Sequence, residues 1–398
     1  MDLPTGGAPA ATDTAADPIA RARALVTLLE AAGPRIDAAR ELPADVLDAM
    51  HRNRLFRLLL PRSVGGEERD PATYIQAVEA VATGDASAAW CMNQGSGCSM
   101  VAAYLEPPVA HEMFAGPRDV LAWGQGKTRA VKVPGGWRVS GTSHFASGSR
   151  HATWLGMHCP TFGPDGTPIR HPDGATFERT MLFRREVATI TDPWQVMGLR
   201  GTGSDTYAVE DLFVADDYAV TRDREAERRE DGVLYRFTTG NIYAAGFGAV
   251  GLGVARGMLD AFIRLAGEKT PVLAATAMRD HPLIQGLIGV SDAKLRAART
   301  WLIAVLRAAE AQATEAGQLS LDDRMDIRQA ATFAIHQARE VVNALWHEAG
   351  ATAIFDAQPF EHRFRDMNAV SQQVQGRSAH FETVGQHKLG MRVNQRWV

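Results

Sequence analysis

Phe145, Ala146 and Ser147 put an aromatic ring and a hydroxyl two residues apart, inside a segment (residues 136–158) with the composition of a hairpin. Its halves, 137–140 and 152–157, read as short strands, and Ser147-Gly148-Ser149-Arg150 reads as the polar turn between them. Side chains alternate along extended chain, so Phe145 and Ser147 are expected on one face. That face would offer a flat apolar contact and a hydrogen-bonding group to the same ligand. A flavin, with its tricyclic body and reactive nitrogen edge, requires both. An ordinary hairpin whose Phe145 packs in a core satisfies the same letters.

Other patterns carry less. Gly246, Gly248 and Gly251 spell GxGxxG, but the segment continues helically through Gly253 and Gly257, without the strand that a dinucleotide site needs in front. Close helix packing is the expected use of these glycines. No nucleophile stands in a strand–elbow–helix context, and there is no HExxH. His144, His151 and His158 would fall on alternating strand faces, so they are expected at caps or on the surface and no metal site is expected. The turn-rich stretch 194–204 reads either as a tight hairpin or as the wall of a cofactor groove.

The elements that must position these residues follow from periodicity. Residues 18–112 read as helices, punctuated by Pro61, Gly65-Gly66 and Asp70-Pro71. From about 116 the chain changes to short strands at 120–123, 130–133, 137–140, 152–157, 180–183, 189–190 and 207–214. Long alanine-rich helices follow at 241–265, 282–315 and 321–348. The expected division is a tail (1–18), an N-terminal helical domain (19–115), a central β-domain (116–225) and a C-terminal helical bundle (226–398). The charged run 222–230 is expected to be solvated.

Composition narrows the function classes. A net charge of −4 over 398 residues gives no argument for nucleic acid or an anionic membrane. Cys91, Cys98 and Cys159 have no disulfide-framework or zinc spacing, which suits a reducing cytoplasm. No signal-peptide pattern opens the chain, and no window reads as long and apolar enough to cross a bilayer.

In order, these pieces resemble the acyl-CoA dehydrogenase fold superfamily over about residues 20–395. The resemblance is carried by Leu60-Pro61-Arg62-Ser63-Val64-Gly65-Gly66, Gly141-Thr142-Ser143-His144-Phe145-Ala146-Ser147-Gly148, Met197-Gly198-Leu199-Arg200-Gly201-Thr202-Gly203-Ser204, His347-Glu348-Ala349-Gly350 and Phe364-Arg365-Asp366. It implies an α+β fold: helical domain, central β-barrel, four-helix bundle, assembled as a homotetramer. Within it, Phe-Ala-Ser-Gly followed by His151-Ala152-Thr153-Trp154 resembles the oxygenase members of two-component flavin monooxygenases. Those take reduced FAD or FMN from a separate reductase and oxygenate an aromatic or heteroatom-containing small molecule through a flavin hydroperoxide.

The resemblance implies roles residue by residue. Ser147 would contact the reactive flavin nitrogen and Phe145 would pack beside the ring, with Trp123 and Gln125 as further contacts. Arg279, Gln285 and Gly350 would reach flavin phosphates from a neighbouring subunit, although Gly350 reads equally well as a helix C-cap. Trp90, Asn93 and Gln94 would line the substrate pocket. Where dehydrogenases carry a carboxylate base and hydroxylases carry histidine, this chain has Asn368 and Gln373, and an amide orients without transferring a proton. An FAD-containing acyl-CoA dehydrogenase and a non-catalytic flavin- or ligand-binding relative are the alternatives.

Overall fold

The computed structural model describes residues 17–171, 174–222, 224–272 and 274–395; the expected tail, save its last two residues, falls outside them. The N-terminal helices are α1 (Pro18–Arg23), α2 (Val26–Ala39), α3 (Ala44–Arg52), α4 (Pro71–Gly84), α5 (Ala86–Ser99) and α6 (Pro107–Phe114). Asp70 caps α4 by accepting from Thr73 N–H, with Pro71 in the first turn where its missing N–H costs nothing. Asp85 ends α4 and caps α5 by accepting from Ala88 N–H. One buried carboxylate thus sets the angle between two helices, and α5 is buried along almost its whole length.

Eight strands follow: β1 (Leu121–Trp123), β2 (Gln125–Val133), β3 (Gly136–Ala146), β4 (Trp154–Phe162), β5 (Glu178–Arg184), β6 (Thr189–Thr191), β7 (Asp205–Ala215) and β8 (Ala219–Val220). They pair in the order β6-β7-β3-β2-β4-β5-β8, with β1 alongside β4. All seven expected strands form, and the central region is a sheet domain with its own core of residues such as Val139, Leu155, Met181 and Tyr207.

The C-terminal part holds α7 (Thr239–Glu268), α8 (Pro282–Ala316), α9 (Leu321–Ala349), α10 (Pro359–Gln372) and α11 (Ala379–Lys388). Helices α7, α8, α9 and α10 form the bundle, and one continuous core joins it to the N-terminal helices. By length and mean hydropathy (1.4), α7 does reach the range of a membrane span, contrary to expectation. It is a core helix instead: 89% of that apolar window is buried inside the fold.

The glycines of α7 pack, as their helical setting implies. A Cβ on Gly253 would stand 2.3 Å from the Glu79 carbonyl oxygen and 2.5 Å from the Ala82 Cβ, so α4 approaches there at backbone distance. Gly253→Ala is expected to cost about 1–3 kcal/mol, as overpacked cores do. Gly267→Ala, on the same helix with nothing within 4 Å, should be neutral to slightly stabilising. Denaturant midpoints of the two variants check the pair.

Candidate active site

β3 does not run straight through Phe145. Its register with β7 shifts between Ser143 and Ala146, and Phe145 itself sits at φ +58°, in the left-handed region. A bulky residue stays there only where its surroundings hold it. The Ser147 N–H folds back onto the Phe145 carbonyl at 2.9 Å. Two-residue alternation therefore fails at this point. Phe145 is 70% exposed, its ring edge-on to Trp194 with centroids 6.1 Å apart, while Ser147 is buried. The expectation of one shared face is corrected, and so is a core-packed Phe145.

Ser147 instead begins a chain of hydroxyls. Trp90 Nε1 donates to Ser147 Oγ at 3.0 Å. Ser147 and Ser204 hydroxyls lie 2.7 Å apart, as do those of Ser204 and Thr202. Thr202 Oγ1 donates to the Leu199 carbonyl at 2.8 Å. Each hydroxyl has one proton to give. Thr202 spends its proton on a carbonyl that has none to return, so Ser204 must donate to Thr202 and Ser147 to Ser204. The direction of the chain is fixed. Ser147 accepts from Trp90, gives its proton to Ser204, and keeps one lone pair for a further donor.

Leu199 is the hub of a second network. It too has left-handed backbone (φ +54°), and its carbonyl also accepts from Trp194 Nε1 at 3.1 Å. Its N–H donates to Asp366 Oδ1 at 2.6 Å, and the other Asp366 oxygen is 2.8 Å from His362 Nε2. Asp85 and Asp37 stand 3.8 and 3.9 Å from the same nitrogen. Burial pushes the His362 imidazole down, but Asp366, then Asp85 and Asp37, outweigh it and hold it up at about 9. Burial raises the Asp85 carboxyl to about 6, against the attraction of His362. Because Asp85 caps the helix that bears Trp90, the two networks close into a loop from the start of α5, through α10 and Leu199, to Ser147 and back to α5.

The other expected residues fall into separate groups. The Trp90 ring lies 4.0 Å from that of Phe247, which stacks on Tyr243 at 5.8 Å. Asn93 accepts from the Tyr74 hydroxyl at 2.9 Å, leaving its buried Nδ2 without a partner among the described residues. Gln94 Nε2 contacts the Tyr243 hydroxyl at 3.2 Å. Trp123 is buried edge-on to His158 at 5.0 Å, while Gln125 is exposed at the start of β2, paired with His144. Gln285 Nε2 donates to the Arg279 carbonyl, so these two stand together, both exposed. Gly350 is the C-cap of α9, beside Lys269, as one of its two readings had it.

Asn368 spends its amide on Asn343 and the Phe364 carbonyl, and Gln373 accepts from Gln375 N–H while its buried Nε2 has no partner among the described residues. None of their hydrogen bonds runs to the Ser147 chain. Of the three histidines expected at caps or on the surface, His144 is exposed, whereas His151 and His158 are half-buried, because they pack against the Phe56 and Trp123 rings. Among the described residues no cluster could hold a metal ion. Arg222, expected in a solvated run, lies over the Trp123 ring at 4.6 Å.

The residues present fit a flavin. Phe145 offers an uncovered ring that the backbone is held out of its preferred region to present, and Ser147 offers a lone pair behind it. Sequence reasoning missed the hydroxyl chain and the His362 cluster. The one local signal was the i,i+4 spacing of His362 and Asp366 on α10.

Comparison with known proteins follows the same outline. Residues 22–107 match the acyl-CoA dehydrogenase N-terminal domain and residues 245–375 the acyl-CoA dehydrogenase C-terminal domain, together more than half of the chain. The chain is 28% identical to indole-3-acetate monooxygenase of Pseudomonas putida over 337 residues, 84% of each protein. It is 26% identical to the flavin-dependent monooxygenase oxygenase subunit HsaA of Rhodococcus jostii, over 88% of this chain and 92% of that one. The crystal structure of the HsaA monooxygenase from M. tuberculosis superposes with a TM-score of 0.88 at 22% identity, covering 97% of this chain and all of that one; this likeness concerns the fold.

Proposed function

Because the chain belongs to the acyl-CoA dehydrogenase family, through both its N- and C-terminal domains, we propose that it is the oxygenase component of a flavin-dependent monooxygenase acting on an aromatic small molecule. FAD or FMN would arrive in reduced form from a separate reductase. The relatives' printed activities support the reaction class. The observation that carries the reading is the direction of the hydroxyl chain. Ser147 has an acceptor to offer and no proton, since its proton goes to Ser204. A reduced flavin carries an N–H at its central ring nitrogen, where the oxidised form carries a lone pair. Two facing lone pairs repel and leave both groups unpaired, so this site favours the reduced form.

When bound, the flavin supplies the activation of oxygen. Ser147 would hold the proton on the ring nitrogen, and Phe145, with Trp194 at its edge, would cover the ring. Trp123 and Gln125 would flank it. Arg279, Gln285 and Gly350 would reach the phosphates across the interface of a homotetramer working in the cytoplasm. Trp90, Asn93 and Gln94 would line the substrate pocket. The amide oxygens of Asn93 and Gln373 each accept one hydrogen bond while their buried nitrogens have no partner among the described residues, so each would present its N–H donors to a substrate or oxygen atom. Asn368, with its donors spent inside the bundle, is left only its carbonyl oxygen. Dehydrogenation needs a carboxylate base; on α10 Asp366 is tied to His362 and Leu199, and no acid follows it before Gly376.

The test is a single turnover. The protein, reduced anaerobically with FMN or FAD and an aromatic substrate, is mixed with 18O2, and one 18O atom per product is expected by mass spectrometry. FAD retained through purification and reduced by an acyl-CoA would replace this reading with a dehydrogenase.

A further inference from the structure

Arg222 stands at this site without a counter-charge among the described residues. Its guanidinium lies over the indole of Trp123 with 4.6 Å between its carbon and the ring centroid. Trp123 is buried and packs edge-on against His158. On the other side the Cys98 thiol stands against the Trp123 backbone and within 3.2 Å of the Tyr243 hydroxyl, which Gln94 Nε2 also meets at 3.2 Å. The field of Arg222 reaches Cys98, Tyr243 and His158, and after burial it helps keep that imidazole neutral. Neighbouring arginines of the same run are paired: Arg224 with Glu227, Arg228 with Glu225, Arg229 with Glu106. Among the described residues, none accepts a hydrogen bond or an ion pair from Arg222.

A half-buried guanidinium stacked on an indole has one face covered, and its N–H edge, open to water, is free to take an anionic ligand. The groups its field reaches, the Cys98 thiol, the Tyr243 hydroxyl and the neutral His158 imidazole, bring no negative charge, and the Glu227 carboxylate at the neighbouring Thr221 N–H is taken by Arg179 and Arg224. From here a ladder of rings leads back to the hydroxyl chain: Tyr243 on Phe247, Phe247 on Trp90, and Trp90 Nε1 on Ser147. One end of that ladder is the oxygenating end proposed above, and the other, Tyr243, lies within the field of an unpaired cation.

We propose that Arg222 is the carboxylate-recognising residue of the substrate pocket, and that the substrate is an aromatic ring bearing a carboxylate side chain. This rests on the reading of the Ser147 end as the place where an aromatic ring is oxygenated. The ring would lie along Trp90, Phe247 and Tyr243, with its reacting carbon toward Ser147. The carboxylate would meet the free N–H edge of Arg222, a planar fork matched to two oxygens. Arg222 would thereby set both the class of substrate and which carbon faces the flavin.

The experiment compares acids with their own carboxamides, which keep the shape and lose the charge. Benzoate, phenylacetate and indole-3-acetate are each titrated against the matching amide by calorimetry, on the full chain with and without reduced FMN. At least one acid is expected to bind ten-fold or more tightly than its amide. Arg222→Met should remove that preference without weakening the amide, and Arg222→Lys should restore part of it. Equal binding of acid and amide in every pair overturns the proposal. So does an Arg222→Met variant that loses affinity for reduced FMN while its acid preference stays, because the cation would then serve the flavin. Binding is read here without turnover. An acid preference with no 18O transfer would sink the monooxygenase reading and leave Arg222 as an anion-recognising residue.

Discussion

Replacing His362 with alanine is expected to cost the fold about 3–5 kcal/mol near neutral pH, the range for a buried charge network that loses one sign. Asp366, Asp85 and Asp37 surround that imidazole at 2.8, 3.8 and 3.9 Å, and Asp85 and Asp366 are almost wholly buried. Without the cation, the buried Asp85 carboxyl loses the attraction that keeps it charged, so it must stay ionised unpaired or take up a proton, and one of its oxygens already has no hydrogen-bond partner among the described residues. The pH dependence has a definite sign. His362 titrates at about 9 in the folded protein, above its unfolded value near 6.5, so its contribution is complete below about 6.5 and is lost as pH rises through 9. Asp85 is raised as well, to about 6, so its ionisation works against the fold between about 4 and 6. The denaturant midpoint of the wild type should therefore fall between pH 6.5 and 9.5. His362→Ala should start lower and lack that fall; an unchanged slope would show that the imidazole is not charged in the fold.

Ser147→Ala is expected to divert the reaction rather than stop it. The substitution removes the lone pair offered to the ring N–H and leaves the buried Trp90 N–H without its acceptor. A hydrogen bond in a dry site is worth ~1–2 kcal/mol, so product formed per oxygen consumed should drop by about tenfold, the remainder appearing as hydrogen peroxide. Ser147→Thr keeps a hydroxyl at the same place and should recover most of the yield. Ser204→Ala separates position from contact. It frees the Ser147 proton to turn outward as a donor, so its signature is weaker discrimination of reduced from oxidised flavin, measured by titrating each form. If Ser147→Ala keeps full coupling, the contact with the ring nitrogen is wrong.

The fold was legible because its signals are local. Turn residues marked all seven expected strands, and apolar periodicity marked α7, α8 and α9 almost to their ends. The site was legible only in its letters. Phe145 and Ser147 were singled out, but period-two alternation assumes extended backbone, and a non-glycine residue in the left-handed region carries no mark in the sequence. The partners of Ser147 are Trp90 and Ser204, each 57 positions away, and no periodicity connects residues that meet only after a sheet has packed on a helix. The same holds for His362 and Asp85, which join the C-terminal bundle to the N-terminal helices. Arg222 looked like one more charge in a solvated run, and only its place over Trp123 sets it apart.

The burial of α7 also bears on how the protein is made. This helix is covered by α4 through Gly253 and by α5 through Gly246, whose Cβ position is 1.9 Å from Asn93 Oδ1, and on its other side by α9. As the chain leaves the ribosome, α4 and α5 are available when α7 emerges, but α9 is not. For that interval an apolar face long enough for a bilayer stands uncovered and is open to chaperones, to aggregation and to the insertion machinery. The change from strands to helices near residue 226 looks in the sequence like a place to divide the protein. A fragment cut there would part α7 from α4 and α5, the helices that cover it first.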